Sequence, residues 1–478
     1  MPRFFLTFAL VSSIALAAGC SVLEDADAGT GGDGSTGQGS GSTGGSTGGG
    51  EAPMPVACPT DTALSAECFG DDFERQDAFG VAVDGTGAAV VTGAFRGALD
   101  FGAGVALTGS VDVESIFVVK LDPQGAPVWA TRLGGDQGHG YGTSVAFDLS
   151  SGDVLVAGQF GGAGAFGAEE VTTIGERDAF VAKLSPEGEV RWVREYGSDA
   201  IFDEGTETQH GASAFAARVA VGADGAVVVT GESDVLLDFG DPGLETGGEG
   251  NVFALQLSPE GIPQWSRWFG GQTSGLGEGV AVDPSGNVVV SGLTDGALVA
   301  KISPGGELLW EKVWSASLAT GDAVTTDAAG NVIVVGSFLD TLDLGSPSLT
   351  SAGSFDLFVA KLAPDGGLLW ANAFGSADLD AAQDVTVDAA DNVLLTGYFR
   401  GSGIDFGGGP LANRGDDDLF AVKLTGDGDP VWSHRYGDGL TQIGRGVAAL
   451  PQGGALVVGL IGAVEASQTD VLVARFGP

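Results

Sequence analysis

The stretch Asp178-Ala179-Phe180-Val181-Ala182-Lys183-Leu184-Ser185-Pro186-Glu187-Gly188, followed by Trp192, decides how this chain is read. A short run of apolar, β-favouring residues ends in Lys-Leu. A tight link with Pro second and Gly fourth follows, as a type I turn prefers, and then a strand marked by Trp. The same unit runs from Phe117-Val118-Val119-Lys120-Leu121 to Trp129, and further copies end at Trp265, Trp310, Trp370 and Trp432. Their spacings run from 45 to 73 residues and cluster near 60. Self-similarity at this period marks a repeat architecture.

A second block precedes each copy. The clearest is Val280-Ala281-Val282-Asp283-Pro284-Ser285-Gly286-Asn287 followed by Val288-Val289-Val290-Ser291-Gly292. Others start at Val81, Val145, Val219, Val324, Val385 and Val447, making seven. Each is two β-rich runs around a Gly turn, a hairpin. A unit therefore holds four strands, here A to D, with Trp on D. Strands A, B and C occur seven times, the last C being Val471–Phe476, but D follows only six of them. Ser65-Ala66-Glu67-Cys68-Phe69-Gly70 aligns with Trp370-Ala371-Asn372-Ala373-Phe374-Gly375, with Ser in the Trp slot. The expected fold is all-β: a seven-bladed β-propeller of four-stranded antiparallel blades, its N-terminal strand completing the last blade and removing open sheet edges.

These units resemble the bacterial seven-bladed β-propeller repeat, the SBBP-type repeat. The Asp-Phe-Gly motif after strand B (Asp100-Phe101-Gly102, Asp238-Phe239-Gly240, Asp405-Phe406-Gly407) is similar to that of myxobacterial-like cell-surface members. The resemblance covers about residues 60–478 and implies a propeller on a secreted or surface-attached protein, with no activity attached. The fourth unit departs from it, with only Leu293 to Gly296 between strands B and C.

Composition narrows the function classes. Of 478 residues, 84 are Gly, which disfavours long helices because Gly costs about 1 kcal/mol per helical site. Asp+Glu number 63 against 20 Lys+Arg, a net charge of −43, which repels nucleic acid and anionic lipid headgroups. Arg3, the apolar run Phe4–Ala18 and the small residues after it read as an exported signal, too short for a comfortable membrane span. Ala17-Ala18-Gly19-Cys20 resembles a bacterial lipobox, with the preferred Leu one place early at Leu16; an ordinary signal peptide with a chance Cys is the alternative. The resemblance implies lipidation of Cys20 and, with Ser21 next, an outer-membrane address. Residues 29–50, almost wholly Gly, Ser and Thr, read as a flexible tether. The expected organisation is a signal peptide at 1–19, a lipidated Cys and tether at 20–56, and a propeller at 57–478.

The chemistry-bearing residues are sparse. None of the three His, at 139, 210 and 434, has a His or Cys at a metal-ligand spacing, and no zinc or other metal site is expected. With Cys20 lipidated, Cys58 and Cys68 are left as a candidate disulfide in an exported chain, the alternative being two unpaired small residues. No nucleophile motif stands in a strand–turn–helix context, and no catalytic residue is assigned. Calcium is the one cofactor considered: Asp-x-x-Gly-Asn turns recur at Asp283–Asn287 and Asp327–Asn331, and Asp416-Asp417-Asp418 is dense. Asp and Asn also initiate turns through their own backbone, which is the competing reading. The Trp residues and the repeated Lys120, Lys183, Lys301, Lys361 and Lys423 each share one slot per blade, which points to packing.

The A–B and C–D turns are short and uniform and lie on one face; the variable B–C and D–A loops lie on the other. Variable loops on a rigid scaffold are where recognition sits. Asp199, Asp203, Glu204, Glu207, Asp378, Asp380, Asp384, Asp416, Asp417 and Asp418 fall there and form the candidate binding face, suited to a cationic partner or a calcium-bridged polymer; the alternative is that they only keep the surface soluble. The expected function is a non-catalytic, monomeric, lipid-anchored scaffold or adhesion module at the outer membrane or cell surface, binding an envelope protein or polysaccharide. The rivals are a propeller-based envelope enzyme of glycoside hydrolase or lyase type, with carboxylates at the channel mouth, and a structural surface-layer component.

Overall fold

The computed structural model describes Cys58, Ala63, residues 65–70, and residues 74–478 apart from 136, 199–200, 204–207, 211–212, 234–236, 241–243, 245–250, 271–274, 347 and 464–467. Among these residues every regular element is a strand. Seven antiparallel sheets form the blades of a β-propeller. In blade 1 the strands are Gln76–Val83, Ala89–Phe95, Ser115–Leu121 and Pro127–Leu133, in the order A-B-C-D. The same order holds in blade 2 (Gly140–Asp148 to Val190–Tyr196), blade 3 (Ala214–Val221 to Pro263–Phe269), blade 4 (Leu276–Val282 to Leu308–Trp314) and blade 6 (Asp380–Val387 to Pro430–Tyr436). Blade 5 departs: its inner strand is split into Leu318–Ala319 and Ala323–Thr326, both paired with Val332–Leu339.

Blade 7 closes the ring as the alignment implies. Its strands A to C are Thr441–Ala449, Ala455–Ala463 and Gln468–Phe476, and its fourth is Ser65–Phe69. The pairing runs from Ser65 opposite Arg475 to Phe69 opposite Val471. Cys58 and Cys68 are bonded, their Cα atoms 5.6 Å apart, which ties this strand to its own lead-in.

The core lies between blades. Strands B and C are covered on both faces by neighbouring sheets, so they read as continuous apolar runs: Val288, Val289 and Val290 are all buried, as are Val227, Val228 and Val229. The glycine that ends each VVVTG-type run has a separate cause. Strand A bulges opposite it, between Ala78 and Gly80 in blade 1 and between Gly277 and Gly279 in blade 4. A Cβ on Gly93 or Gly292 would overlap the strand A carbonyl of Asp77 or Leu276.

The Asp-Phe-Gly motif is joint packing. Asp100 Oδ1 accepts the Gly102 N–H at 2.8 Å and Asp405 Oδ1 that of Gly407 at 2.7 Å, shaping the turn of a small B–C hairpin. The phenyl ring then fills the space between blades: Phe406 lies 5.1 Å from Phe374 of blade 5 and 5.0 Å from Phe420 of its own blade. Phe101 makes the same contacts with Phe69 at 5.2 Å and Phe117 at 5.7 Å. The closing strand thus supplies the ring that a strand D supplies elsewhere.

Candidate functional site

The turn face is built from one device repeated around the ring. Lysine in strand C meets the aspartate that ends strand A of the same blade: Lys183–Asp148 at 3.0 Å, Lys301–Asp283 at 2.8 Å, Lys361–Asp327 at 2.9 Å and Lys423–Asp388 at 2.8 Å. The tips of Lys183, Lys301 and Lys361 then reach the C–D turn of the next blade. Lys361 Nζ and Trp370 Nε1 both donate to the Gly426 carbonyl, at 2.9 and 3.1 Å. Lys183 and Trp192 share the Pro259 carbonyl, and Lys301 and Trp310 that of Pro364. The turn glycine allows this approach. Gly188 has φ +89°, and a Cβ there would lie 2.7 Å from the Trp129 ring.

The same device answers the calcium expectation. Asp283 Oδ1 accepts the N–H groups of Ser285 and Asn287 at 2.8 and 2.9 Å, while Oδ2 takes the Lys301 ammonium and the Asn287 amide. Asp327 is engaged in the same way by Ala329, Asn331 and Lys361. A lysine occupies the place a cation would take. Among the described residues no group of three or more His, Cys, Asp or Glu could hold a metal ion.

The acids of the predicted binding face differ in their surroundings where their side chains are described. Asp199, Glu204 and Glu207 lie outside the described residues, as do the side chain of Asp203 and all of Cys20. Asp378 and Asp416 are exposed. Asp380, Asp417 and Asp418 are buried instead, because each fastens a loop end. Asp380 accepts the Ser376 N–H at 2.6 Å. Asp417 pairs with Arg400, its Oδ2 taking Nη2 at 3.0 Å. Asp418 takes the Arg414 N–H at 2.8 Å and Arg435 at 3.1 Å. The sequence shows three acids in a row; strand C begins at the third and turns it inward.

Asp384 belongs to the central channel, with residues the sequence did not single out. The inner-strand bulges line that channel. Arg218 of blade 3 crosses it, donating to the Thr143 carbonyl of blade 2 at 3.4 Å and to the Gln383 carbonyl of blade 6 at 3.2 Å. Around it stand Glu278 and Asp322, from blades 4 and 5. Burial pushes Glu278 up to about 7, helped by Asp322 and opposed by Arg218. Burial likewise raises Asp322 to about 6, although the hydroxyls of Thr320 and Ser337 and the charge of Arg218 pull the other way. Asp384 is also raised by burial, against Arg218 and the Val447 N–H it accepts at 2.8 Å. Arg445 of blade 7 lies over the Phe79 ring of blade 1 at 5.2 Å. The signal that marks these residues is that they break the repeat: the slot of Glu278 and Arg445 holds Phe79, Thr143 and Ala217 in blades 1 to 3, and the slot of Arg218 and Asp384 holds Gly80, Ser144, Gly279 and Gly446 in blades 1, 2, 4 and 7.

This geometry defines a closed seven-bladed propeller repeat protein with a crossed channel and one non-uniform face. No protein-family model matches the chain. It is similar to an uncharacterized WD repeat-containing protein of Acanthamoeba polyphaga mimivirus, 28% identical over 123 residues, which are 22% of this chain and 9% of that protein. The chain therefore spans under a tenth of that relative's length. Solved structures that resemble it include BamB from Moraxella catarrhalis, 13% identical with a TM-score of 0.40, covering 87% of this chain and 100% of that one. Another is Sqt1 from Chaetomium thermophilum, 12% identical with a TM-score of 0.43, covering 88% and 100%. Likenesses at this level say nothing of partners or activity.

Proposed function

We propose that this chain is an SBBP-type envelope lipoprotein, anchored through a lipidated Cys20, that displays its propeller as a non-catalytic interaction scaffold at the outer membrane or cell surface. One observation supports the reading above the others. The recurring Lys, Asp, Trp and Phe side chains are tied into joints between blades, which leaves the loop face to vary from blade to blade. Stiff joints hold such loops in fixed relative positions, as a recognition surface needs. The test is crosslinked affinity capture of the tagged lipoprotein from intact cells, beside a version with residues 198–213, which precede blade 3 strand A, replaced by a short Gly turn. A partner that is lost in that version supports the scaffold; no partner in either sample overturns it.

A second reading is an envelope glycoside hydrolase or lyase using Glu278 and Asp322. Their raised pKa values favour it, since a carboxyl poised near neutrality can act as a general acid. Against it, Asp322 is held by two hydroxyls and Arg218 crosses the channel beside the pair. Turnover of an envelope polysaccharide that is abolished by E278Q would establish it.

A further inference from the structure

Blade 1 is the one blade whose strand C lysine and strand A aspartate are both present and do not meet. Lys120 Nζ turns instead to the Pro186 carbonyl of blade 2, at 3.4 Å, and stands 5.9 Å from the centre of the Phe147 ring. It meets no carboxylate among the described residues. The Pro186 carbonyl is already held by Trp129 Nε1 at 2.9 Å. Asp84 is half engaged. Its Oδ1 accepts the N–H groups of Thr86 and Ala88 at 2.8 and 3.1 Å and the Thr86 hydroxyl at 2.6 Å, while Oδ2 takes no hydrogen bond among the described residues. The sequence gives the reason. Blades 4, 5 and 6 end the A–B turn in Asn, and Asn287, Asn331 and Asn392 donate their amides to Oδ2 of Asp283, Asp327 and Asp388 at 2.8, 2.7 and 2.9 Å. Blade 1 has Ala88 in that slot. Asp84 Oδ2 thus lacks both the amide and the ammonium that satisfy its counterparts.

A pocket of about 250 Å³ opens here on the turn face, between the A–B turns of blades 1 and 2. Asp84 and Lys120 line one side; Phe147, Leu149 and Pro186 line the other. Leu149 is 77% exposed, the most of any large hydrophobic side chain among the described residues. The residue at its turn position is Gly, Ala or Pro in every other blade. Covering such a side chain removes apolar surface from water. The neighbouring acids are occupied. Asp148, also in the lining, holds the Lys183 ammonium at 3.0 Å and the Ser150 hydroxyl at 2.6 Å. Glu187, next to Pro186, takes the Ser185 hydroxyl at 3.1 Å. The pocket therefore offers one open ammonium, one open carboxylate oxygen and an apolar wall.

We propose that this pocket binds a small zwitterion with an apolar side chain, an aliphatic α-amino acid. Its carboxylate pairs with Lys120. Its ammonium pairs with Asp84 Oδ2, in the role that lysine and asparagine fill in blades 4 to 6. Its side chain covers Leu149 and Phe147. Lys120 repels a lone cation and Asp84 a lone anion, so a ligand carrying both charges is preferred. Size agrees, since the pocket falls below the roughly 300–1,000 Å³ of sites for drug-sized ligands. The pocket lies on the turn face, away from the loops on which the scaffold reading rests, so the two fail separately.

The experiment is a ligand-observed NMR titration of the full chain with L-leucine, and separately with isocaproate and isoamylamine, which keep the side chain and lose one charge each. L-leucine should bind saturably, and each analogue about tenfold more weakly. K120M should weaken L-leucine about tenfold and leave isoamylamine no weaker. D84N keeps the Oδ1 acceptor of the turn; it should weaken L-leucine to a similar degree and leave isocaproate no weaker. Neither change breaks an ion pair, so both melting curves should match wild type. L149S, at an exposed position, should weaken all three probes. No saturable binding of L-leucine, an analogue that binds as tightly as L-leucine, or a Kd that K120M and D84N leave unaltered would overturn the proposal.

Discussion

The joint between blades 5 and 6 and the joint between blades 6 and 7 share their residues and differ in one acceptor. At the first, Lys361 and Trp370 converge on the Gly426 carbonyl of the next C–D turn. At the second, Lys423 keeps Asp388 at 2.8 Å, but the Trp432 indole N–H is buried without an acceptor among the described residues. The cause is topological. Strands C and D of blade 7, Gln468–Phe476 and Ser65–Phe69, come from opposite ends of the propeller sequence, so no turn joins them. Blade 3 shows the converse. Gly222 and Gln256 stand where other blades have Asp and Lys, yet Trp265 still donates to the Pro304 carbonyl at 3.1 Å. The clamp thus has two separable parts: an ion pair within a blade and a carbonyl borrowed from the next.

The ion pair gives the largest expected effect. Lys301 and Asp283 are both buried, so K301M strands a carboxylate and should cost about 3–5 kcal/mol in denaturant unfolding. The double change D283G/K301Q copies blade 3 and should recover most of that loss; a double variant no better than K301M would break the comparison. At the seam the Cys58–Cys68 bond adds a constraint the other joints lack. Its reduction, or C58S, should lower stability by about 2–3 kcal/mol, read from the denaturant midpoint. The borrowed carbonyl is worth less. W370F leaves Gly426 without its indole donor and should cost about 1–2 kcal/mol more than W432F, which removes a donor with no acceptor among the described residues. Equal losses would show that the indole bond adds nothing to packing.

The smallest effect is a pH slope. A carboxyl whose folded pKa lies above its unfolded value binds more protons in the native state, so stability falls as pH rises between the two values. For Glu278 that window runs from the usual range near 4.5 to about 7. E278Q should flatten the pH dependence of the melting temperature there. Asp388 works in the opposite sense. Burial opposes the shift, but hydrogen bonds from Lys423 and Asn392 hold it down at about 2, so its contribution is lost as pH falls from near 4 toward 2.

The fold was legible because each blade repeats the same short-range signals: turn glycines, a Lys-Leu strand end and a Trp. Even ring closure could be read, since Phe69 aligns with Phe374 and makes the same inter-blade contact. The site was less legible, because burial there depends on which strand begins where. Asp416 stays exposed while Asp418, two residues on, is turned inward as the first residue of strand C. The channel group is assembled from blades 3 to 6, and Arg218 meets Gln383 across 165 residues of sequence. No spacing rule joins them. His139 looked solitary because its partner, Glu114, is 25 residues away on another blade.

Hydrogen–deuterium exchange along Val471–Arg475 tests the closed ring most directly. Alternate amides of an antiparallel strand point to opposite neighbours, so half of them can be protected only by Ser65–Phe69. The account predicts uniform slow exchange there, matching Asp418–Leu424, the equivalent strand of blade 6. Alternation of protected and rapidly exchanging amides would show that the last blade has an open edge, and would contradict both the closure and the rigid platform that the proposed function needs.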